Sequence, residues 1–156
     1  MRVNRLLLVA LLVLASTTVA VCKDLALITH KSNATASVTM PELMKMCKGQ
    51  TNRWPDGKPV VFILRDPGSP DMHMVLEKIY GMPKSEVMAA IAAANHGRTN
   101  HPAIMVVESD DALLDQVEAT PGAVGLVDVY AITGGVRVLK VGGKLPLESG
   151  YPLHGN

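Results

Sequence analysis

A short stretch in the middle of the chain combines a strand, a turn and a helix start in a way that suits anion binding. Residues 60–64 are an apolar run that predicts a buried strand, and Arg65 stands at its end. The turn that follows contains Gly68, and Ser69 is placed to cap a helix that begins at Pro70. A helix start leaves backbone N–H groups free, and Arg65 adds a positive charge beside them. The pattern predicts an oxyanion site, with an ordinary capped helix beside a surface arginine as the alternative.

Sulfur and imidazole side chains raise the question of a soft metal site. Met72, His73 and Met74 are consecutive, and Met46 and Cys47 lie in a second methionine-containing stretch. Thioether, thiol and imidazole ligands suit Cu(I), so a copper-handling protein is one hypothesis. Met72, however, falls on the apolar face of the predicted helix, where methionine fills gaps in cores that are poor in aromatic residues. We therefore predict no metal site.

The sequence contains none of the common signatures of catalysis. There is no nucleophile elbow, Walker loop or zinc-ligand spacing. Ser69 and His73 lie four residues apart on one side of the predicted helix, but such a pair is more often accidental than catalytic. The chain is predicted not to be an enzyme, and no cofactor is expected.

Composition limits the possible partners. Hydrophobic residues make up 48% of the 156 residues, which is ample for the core of one domain. Aromatic residues make up only 3%, and the formal net charge is only +1. Nucleic-acid binding requires a basic face and stacking rings, so the composition argues against a nucleic-acid partner.

The beginning of the chain has the pattern of a secretory signal peptide over residues 1–20. Arg2 and Arg5 are basic, residues 6–15 are apolar, and Ala20 supplies the small residue needed for cleavage. The apolar run is too short to span a bilayer, so no stable membrane span is expected. We expect a periplasmic or secreted protein whose mature form begins just after Ala20.

The chain has two cysteines, Cys22 and Cys47. A cysteine directly after the cleavage site would indicate a lipoprotein, but the preceding residue, Val21, fits that pattern poorly. An even number of cysteines in an exported chain favours a disulfide. We predict a Cys22–Cys47 bridge, with lipid anchoring at Cys22 as the alternative.

Strand and helix patterns alternate along the rest of the chain. The predicted strands cover residues 25–29, 60–64, 104–107, 123–130 and 136–141, and helices are predicted to begin near Thr39, Ser69, Pro83 and Ser109. This alternation predicts an α/β three-layer sandwich with a mostly parallel sheet over residues 21–142. Residues 143–156 are rich in Gly and Pro and are expected to form an extended C-terminal tail on the surface.

Four segments, in order along the chain, carry a resemblance to a known family. They are Lys31-Ser32-Asn33, residues 41–58 with Trp54 and Asp56-Gly57, Arg65-Asp66-Pro67-Gly68-Ser69, and Thr120-Pro121-Gly122-Ala123-Val124-Gly125. They resemble one lobe of the two-lobed phosphate-binding proteins of periplasmic ABC transporters. The resemblance spans residues 25–130 and implies a single lobe of a type II periplasmic-binding-protein-like fold.

The resemblance also implies a function and a set of site residues. It implies an exported solute-binding-like protein with phosphate or a similar oxyanion as its ligand. Arg65, Gly68 and Ser69 match the family's phosphate loop. Ser32 is implied as a further hydroxyl from a neighbouring strand end, with a structural role in the turn as the alternative.

Two positions next to the predicted loop differ from the family's pattern. The Gly-Thr that follows the family's serine is Pro70-Asp71 in this chain. Pro70 has no N–H to donate, and the carboxylate of Asp71 would repel an anion. We therefore expect weak binding by the monomer, with a homodimer or a protein partner closing the site. The alternative is a non-catalytic interaction protein that keeps the fold and has lost ligand binding.

Overall fold

The alternating pattern of the sequence forms one six-stranded sheet with helices on both faces. The computed structural model describes residues 23–98 and 100–155. The strands are β1 (Leu25–His30), β2 (Ser37–Val38), β3 (Val61–Arg65), β4 (Ile104–Val107), β5 (Ala123–Asp128) and β6 (Val136–Val141). The helices are α1 (Met40–Cys47), α2 (His73–Val75), α3 (Lys84–Asn95) and α4 (Asp110–Ala119).

The strand order is β2-β6-β1-β5-β3-β4. β3 runs parallel to both β4 and β5, and β2 runs parallel to β6. β1 is antiparallel to both of its neighbours, β5 and β6. The predicted α/β fold with a mostly parallel sheet is confirmed, and the reversed direction of β1 is the feature that the sequence did not predict.

The two faces of the sheet hold two separate apolar cores. Because side chains alternate along a strand, Leu25 and Leu27 of β1 point to one face, and Ala26 and Ile28 point to the other. The first face is covered by α1, α3 and the helical segment 70–80, and the second is covered by α4. This arrangement confirms the predicted three layers.

Two helices begin with the caps that the sequence predicts. The hydroxyl of Thr39 accepts from the backbone N–H of Glu42, whose carboxylate accepts from the backbone N–H of Thr39. Ser109 Oγ accepts from the backbone N–H of Ala112 at the start of α4. Each cap satisfies N–H groups that the first turn of a helix leaves without a backbone partner.

The helical segment 70–80 has the predicted apolar face but not a regular α-helical geometry. It begins as a 3₁₀ turn (Pro70–Met72), continues through α2 and ends as a π turn (Leu76–Tyr80). The adjacent residues Ile79 and Tyr80 at the end of the π turn are both buried. Tyr80 Oη then donates to the carbonyl of Cys47 at 2.5 Å.

The prediction of a surface tail is wrong for the last part of the chain. Tyr151 and Leu153 are buried, and Tyr151 Oη donates to the carbonyl of Leu25 at 2.7 Å. The backbone N–H of Leu25 donates to the carbonyl of Leu153, and that of Gly155 to the carbonyl of Lys23. Apolar burial at two positions was enough to dock a segment whose Gly and Pro content suggested coil.

The signal peptide, the cleavage site near Ala20, and Cys22 all lie outside the described residues, so the leader and the disulfide stay predictions. Cys47 is fully buried in the core, where burial raises the pKa of its thiol. None of the helices within residues 23–98 and 100–155 has the length and apolar character needed to cross a membrane.

Candidate functional site

The directions of the strands decide which side chains meet. Because β3, β4 and β5 are parallel, their carboxyl ends share one edge of the sheet. This edge brings together Arg65 at the end of β3, Asp110 at the start of the helix after β4, and Asp128 at the end of β5. The antiparallel β1 contributes its amino end, so Lys23 lies at the same edge.

Arg65 is held by two carboxylates. Its Nη1 donates to Asp71 Oδ2 at 3.0 Å and to Asp110 Oδ1 at 3.2 Å. The side chain of Arg65 is only 15% exposed, so these charge-assisted bonds are partly shielded from water. Arg65 Nε is buried and has no hydrogen-bond partner among the described residues. The guanidinium is thus where the sequence predicted it, but its charge is already offset.

The turn after Arg65 directs its backbone N–H groups inward. The N–H of Gly68 donates to Asp66 Oδ1 at 2.8 Å, and the N–H of Ser69 donates to the carbonyl of Asp66 at 2.9 Å. These two amides were the predicted anion donors. In this conformation both are occupied by Asp66 rather than free for a ligand.

Ser69 lies at the predicted cap position but does not form the cap. The N–H of Met72 donates to the carbonyl of Ser69 at 3.0 Å, because the segment begins with a tight 3₁₀ turn. Pro70 has no N–H to offer. Ser69 Oγ is therefore buried without a hydrogen-bond partner in the described part of the chain.

A second cation approaches the turn from α3. A Cβ atom placed on Gly68 would collide with Nζ of Lys84, so glycine leaves the space that this ammonium group uses. The sequence pattern did not predict Lys84 as a site residue, since it lies at the start of a separate helix. Its proximity makes the turn more positive than Arg65 alone would.

A pocket of about 270 Å³ opens beside Arg65. Its charged lining consists of Lys23, Arg65, Asp71, Glu77, Lys78, Asp110 and Asp128. Apolar side chains of Leu25 and Met72 also line it. The pocket mixes cations and carboxylates: besides Asp71, which the sequence placed beside the loop, it contains Glu77, Asp110 and Asp128.

Burial and neighbouring charges act on the titratable groups of this pocket. Burial raises the pKa of Asp110; the nearby Arg65 opposes that shift, and the carboxylates of Asp128 and Asp71 reinforce it. Lys23 Nζ lies 3.1 Å from Asp128 Oδ2, and this hydrogen bond raises the pKa of the exposed Lys23. The charged side chains around Arg65 therefore influence one another's pKa values.

The structure does not bring Ser32 to this pocket, which corrects the predicted site. Ser32 follows the carboxyl end of β1, and β1 is antiparallel to β5, so Ser32 lies toward the opposite edge of the sheet. There its Oγ is 2.7 Å from Nδ1 of His30, and its N–H donates to the same nitrogen. Ser32 has the alternative structural role in the turn.

Five charged residues of the pocket were not predicted from the sequence: Lys23, Glu77, Lys78, Asp110 and Asp128. Asp110 directly follows the predicted helix start at Ser109, and Asp128 lies within the predicted strand 123–130. The signal that could have found both was their position at the carboxyl ends of predicted parallel strands. Lys23 had no such signal, because its placement follows from the antiparallel direction of β1.

The soft-metal hypothesis concerned the stretch 72–74 and the stretch with Met46 and Cys47, and these last two side chains are both buried. Met72 is buried, whereas His73 is exposed and lies 3.7 Å from Glu77 through Nδ1. Across residues 23–98 and 100–155, no three His, Cys, Asp or Glu side chains are grouped to hold a metal ion.

The six-stranded sheet and its flanking helices have the fold of a single lobe of the periplasmic-binding-protein type. The structural neighbours are phosphate ABC transporter substrate-binding proteins. An ABC-type phosphate transport receptor from Vibrio cholerae matches with a TM-score of 0.69 and 16% identity over 86% of this chain and 54% of its own. PstS from Borrelia burgdorferi matches with a TM-score of 0.65 and 18% identity over 86% and 55%.

A third neighbour is a putative phosphate ABC transporter substrate-binding protein from Clostridium perfringens, solved with bound phosphate. It matches with a TM-score of 0.62 and 20% identity over 78% of this chain and 46% of its own. This chain thus spans about half the length of these neighbours, consistent with a single lobe. At such identities the likeness shows the fold alone. No protein-family model matches the sequence, and no curated protein matches it significantly.

Proposed function

We propose that this chain is an exported, non-enzymatic solute-binding protein that binds phosphate or a similar oxyanion weakly beside Arg65. The binding group consists of Arg65, Gly68 and Ser69 at the strand-to-helix turn. Lys84 and Lys23 add positive charge from either side of it. The neighbour from Clostridium perfringens with bound phosphate has the same fold, which supports an oxyanion as the class of ligand.

The observation that carries this proposal is a pair of buried polar atoms without partners on the turn. Arg65 Nε and Ser69 Oγ have no hydrogen-bond partner among the described residues. Leaving a buried polar group unpaired costs about 1–3 kcal/mol. An oxyanion that opens the turn would accept from both groups and remove that cost.

The same geometry explains why we expect binding to be weak. The carboxylates of Asp71 and Asp110 already neutralise Arg65, and an anion must compete with them. The N–H of Gly68 must leave Asp66 before it can serve a ligand. One lobe also leaves the ligand in contact with water, so we expect a Kd no tighter than about millimolar. A second copy or another protein that closes the pocket would tighten it.

An NMR titration with inorganic phosphate tests the proposal. The amides of Gly68 and Ser69 should shift on addition of millimolar phosphate, and Arg65→Ala should weaken the response. Asp56→Asn is the matched control, because Asp56 pairs with Lys58 on the surface and does not line the pocket. Unmoved Gly68 and Ser69 amides at high phosphate would refute oxyanion binding.

A second candidate function is a non-catalytic interaction protein that keeps the fold without a ligand. The observation in its favour is that both carboxylates reach the same nitrogen of Arg65. In this case the ion-pair cluster would serve stability, and Arg65→Ala would destabilise the fold without changing any phosphate response.

Export is part of the proposal. The basic, apolar and small-residue regions of residues 1–20 favour cleavage after Ala20 and a periplasmic or secreted location. Mass spectrometry of the exported product should find an N-terminus at or near Val21. A diacylglycerol group on Cys22 would instead establish the lipoprotein alternative.

We also retain the Cys22–Cys47 disulfide as a proposal. Because Cys47 is fully buried, the bridge requires Cys22 to reach the core. Thiol labelling under denaturing, non-reducing conditions should detect no free thiol. Two labelled cysteines in each chain would rule out the bridge.

A further inference from the structure

The pocket beside Arg65 contains more carboxylates than cations. Asp71, Glu77, Asp110 and Asp128 line it, against Lys23, Arg65 and Lys78. Lys78 Nζ is already bound to the carbonyl of His154 at 2.6 Å. A bare anion entering this pocket therefore meets Arg65 together with several negative groups, and the pocket is not complementary to it.

Two of these carboxylates have capacity for another donor. Among the described residues, Asp71 accepts a hydrogen bond from Arg65 through Oδ2 alone, and its side chain is 57% exposed. In the same part of the chain the only ion pair of Glu77 is with His73 Nδ1, at 3.7 Å, and the side chain of Glu77 is 72% exposed. A carboxylate offers two oxygens and several acceptor positions, so each of them has room for an ammonium group.

The pocket is also larger than inorganic phosphate requires. Its volume is about 270 Å³, whereas phosphate has only five heavy atoms. The carboxylates of Asp71 and Glu77 and the apolar side chains of Leu25 and Met72 line the pocket together with Arg65.

We infer that the ligand of this pocket is a zwitterion: an oxyanion joined by a short carbon chain to an ammonium group. The oxyanion binds at Arg65, and the ammonium group binds the carboxylates of Asp71 and Glu77, all of which line the pocket. This inference rests on the proposed oxyanion function and adds the class of ligand to it. A ligand with both charges uses the carboxylates that repel a simple anion.

A purely cationic ligand fits the pocket less well. Arg65 and Lys23 line the same space, and a free cation would meet both of them. Asp110 and Asp128 are only 22% and 19% exposed, whereas Asp71 and Glu77 are 57% and 72% exposed and can accept from a ligand more readily. The presence of these accessible carboxylates beside Arg65 therefore favours a ligand that carries both charges.

The inference is tested by NMR titration of the purified protein with four probes. These are inorganic phosphate, ethylphosphonate, aminoethylphosphonate and propylamine. Aminoethylphosphonate should bind at least about tenfold more tightly than ethylphosphonate, which has the same oxyanion without the ammonium group. Propylamine should bind more weakly than aminoethylphosphonate, because it lacks the oxyanion.

Two variants locate the ammonium group. Glu77→Gln should bring the ratio of the two phosphonate affinities toward one, chiefly by weakening the binding of aminoethylphosphonate. Asp71→Asn should also lower the ratio, but by strengthening the binding of ethylphosphonate. Glu86→Gln is the control, because Glu86 is an exposed residue of α3 that does not line the pocket.

The outcomes separate this inference from the function on which it rests. Equal affinity for the two phosphonates, with amide shifts at Gly68 and Ser69, would overturn the inference of a zwitterionic ligand and leave oxyanion binding in place. Propylamine binding as tightly as aminoethylphosphonate would overturn it as well. No shift at those amides with any of the three oxyanions would overturn the proposed function and the inference together.

Discussion

Arg65 donates to Asp71 over 3.0 Å, and the two residues are only six positions apart in sequence. A carboxylate supplied so close along the chain has a high effective concentration at the guanidinium, because closing this short loop costs little entropy. It competes with any external anion without a diffusional step. In the proposed function, the Arg65–Asp71 pair therefore limits the affinity for an oxyanion.

The raised pKa of Asp110 predicts a specific dependence of stability on pH. Because the folded state holds this proton more tightly, stability should fall as pH rises from about 3.9, the usual value for aspartate, through the raised pKa. Asp110→Asn should remove this part of the slope while keeping an oxygen acceptor for Arg65. Urea unfolding at a series of pH values measures how the free energy of unfolding depends on pH. The same pH dependence in Asp110→Asn and in the unmodified protein would contradict the prediction.

Asp56→Asn serves as a control, because the pKa of Asp56 is shifted in the opposite direction from that of Asp110. Hydrogen bonds from Lys58 lower the pKa of Asp56, so its contribution to stability is present above the usual aspartate range and is lost as pH falls. The variant should reduce the loss of stability in acid, and only slightly, because the Asp56–Lys58 pair lies at the surface.

The capping box at α1 predicts a measurable loss on mutation. Thr39→Ala removes the hydroxyl that accepts from the N–H of Glu42 and should lower the free energy of unfolding by about 1 kcal/mol. Hydrogen bonds from Thr39 lower the pKa of Glu42. The stabilisation that comes from the ionised Glu42 carboxylate is therefore complete above the usual pKa of glutamate and is lost as pH falls. Denaturant unfolding at neutral and acid pH measures both effects. Thr39→Ser keeps the hydroxyl, and a loss as large as that of alanine would refute the capping explanation.

The docked C-terminal segment predicts a contrast between two leucines. Leu153 is fully buried, so Leu153→Ala should cost about 2–5 kcal/mol in the free energy of unfolding. Leu147 is 63% exposed, and Leu147→Ala should change it by about 0.5 kcal/mol or less. Chemical denaturation compares them. Similar small effects at both positions would mean that the segment is not part of the core in solution.

Local patterns predicted most of the elements. The apolar run before Arg65 formed β3, and the polar residues at Thr39 and Ser109 formed caps with their expected partners. These features depend on residues within a few positions of one another, which the sequence displays directly. The three layers followed from their alternation.

The features that the sequence predicted wrongly, or did not predict, depend on contacts between residues far apart in the chain. The direction of β1 is set by its pairing with β5 and β6, which lie far away in sequence, and it separates Ser32 from Arg65. The same pairing brings Lys23 to the pocket. The burial of Leu153 likewise depends on a partner at the other end of the chain, Leu25. No local pattern encodes these contacts.

The affinity of Asp71→Asn for inorganic phosphate tests the central claim most directly. Removing the charge while keeping the shape should free Arg65 and tighten phosphate binding about tenfold relative to the unmodified protein, as measured by calorimetry or by the Gly68 and Ser69 amide shifts. Asp56→Asn should leave the affinity unchanged. A Kd for Asp71→Asn that equals or exceeds that of the unmodified protein would contradict the claim that the Asp71 carboxylate competes with an oxyanion for Arg65.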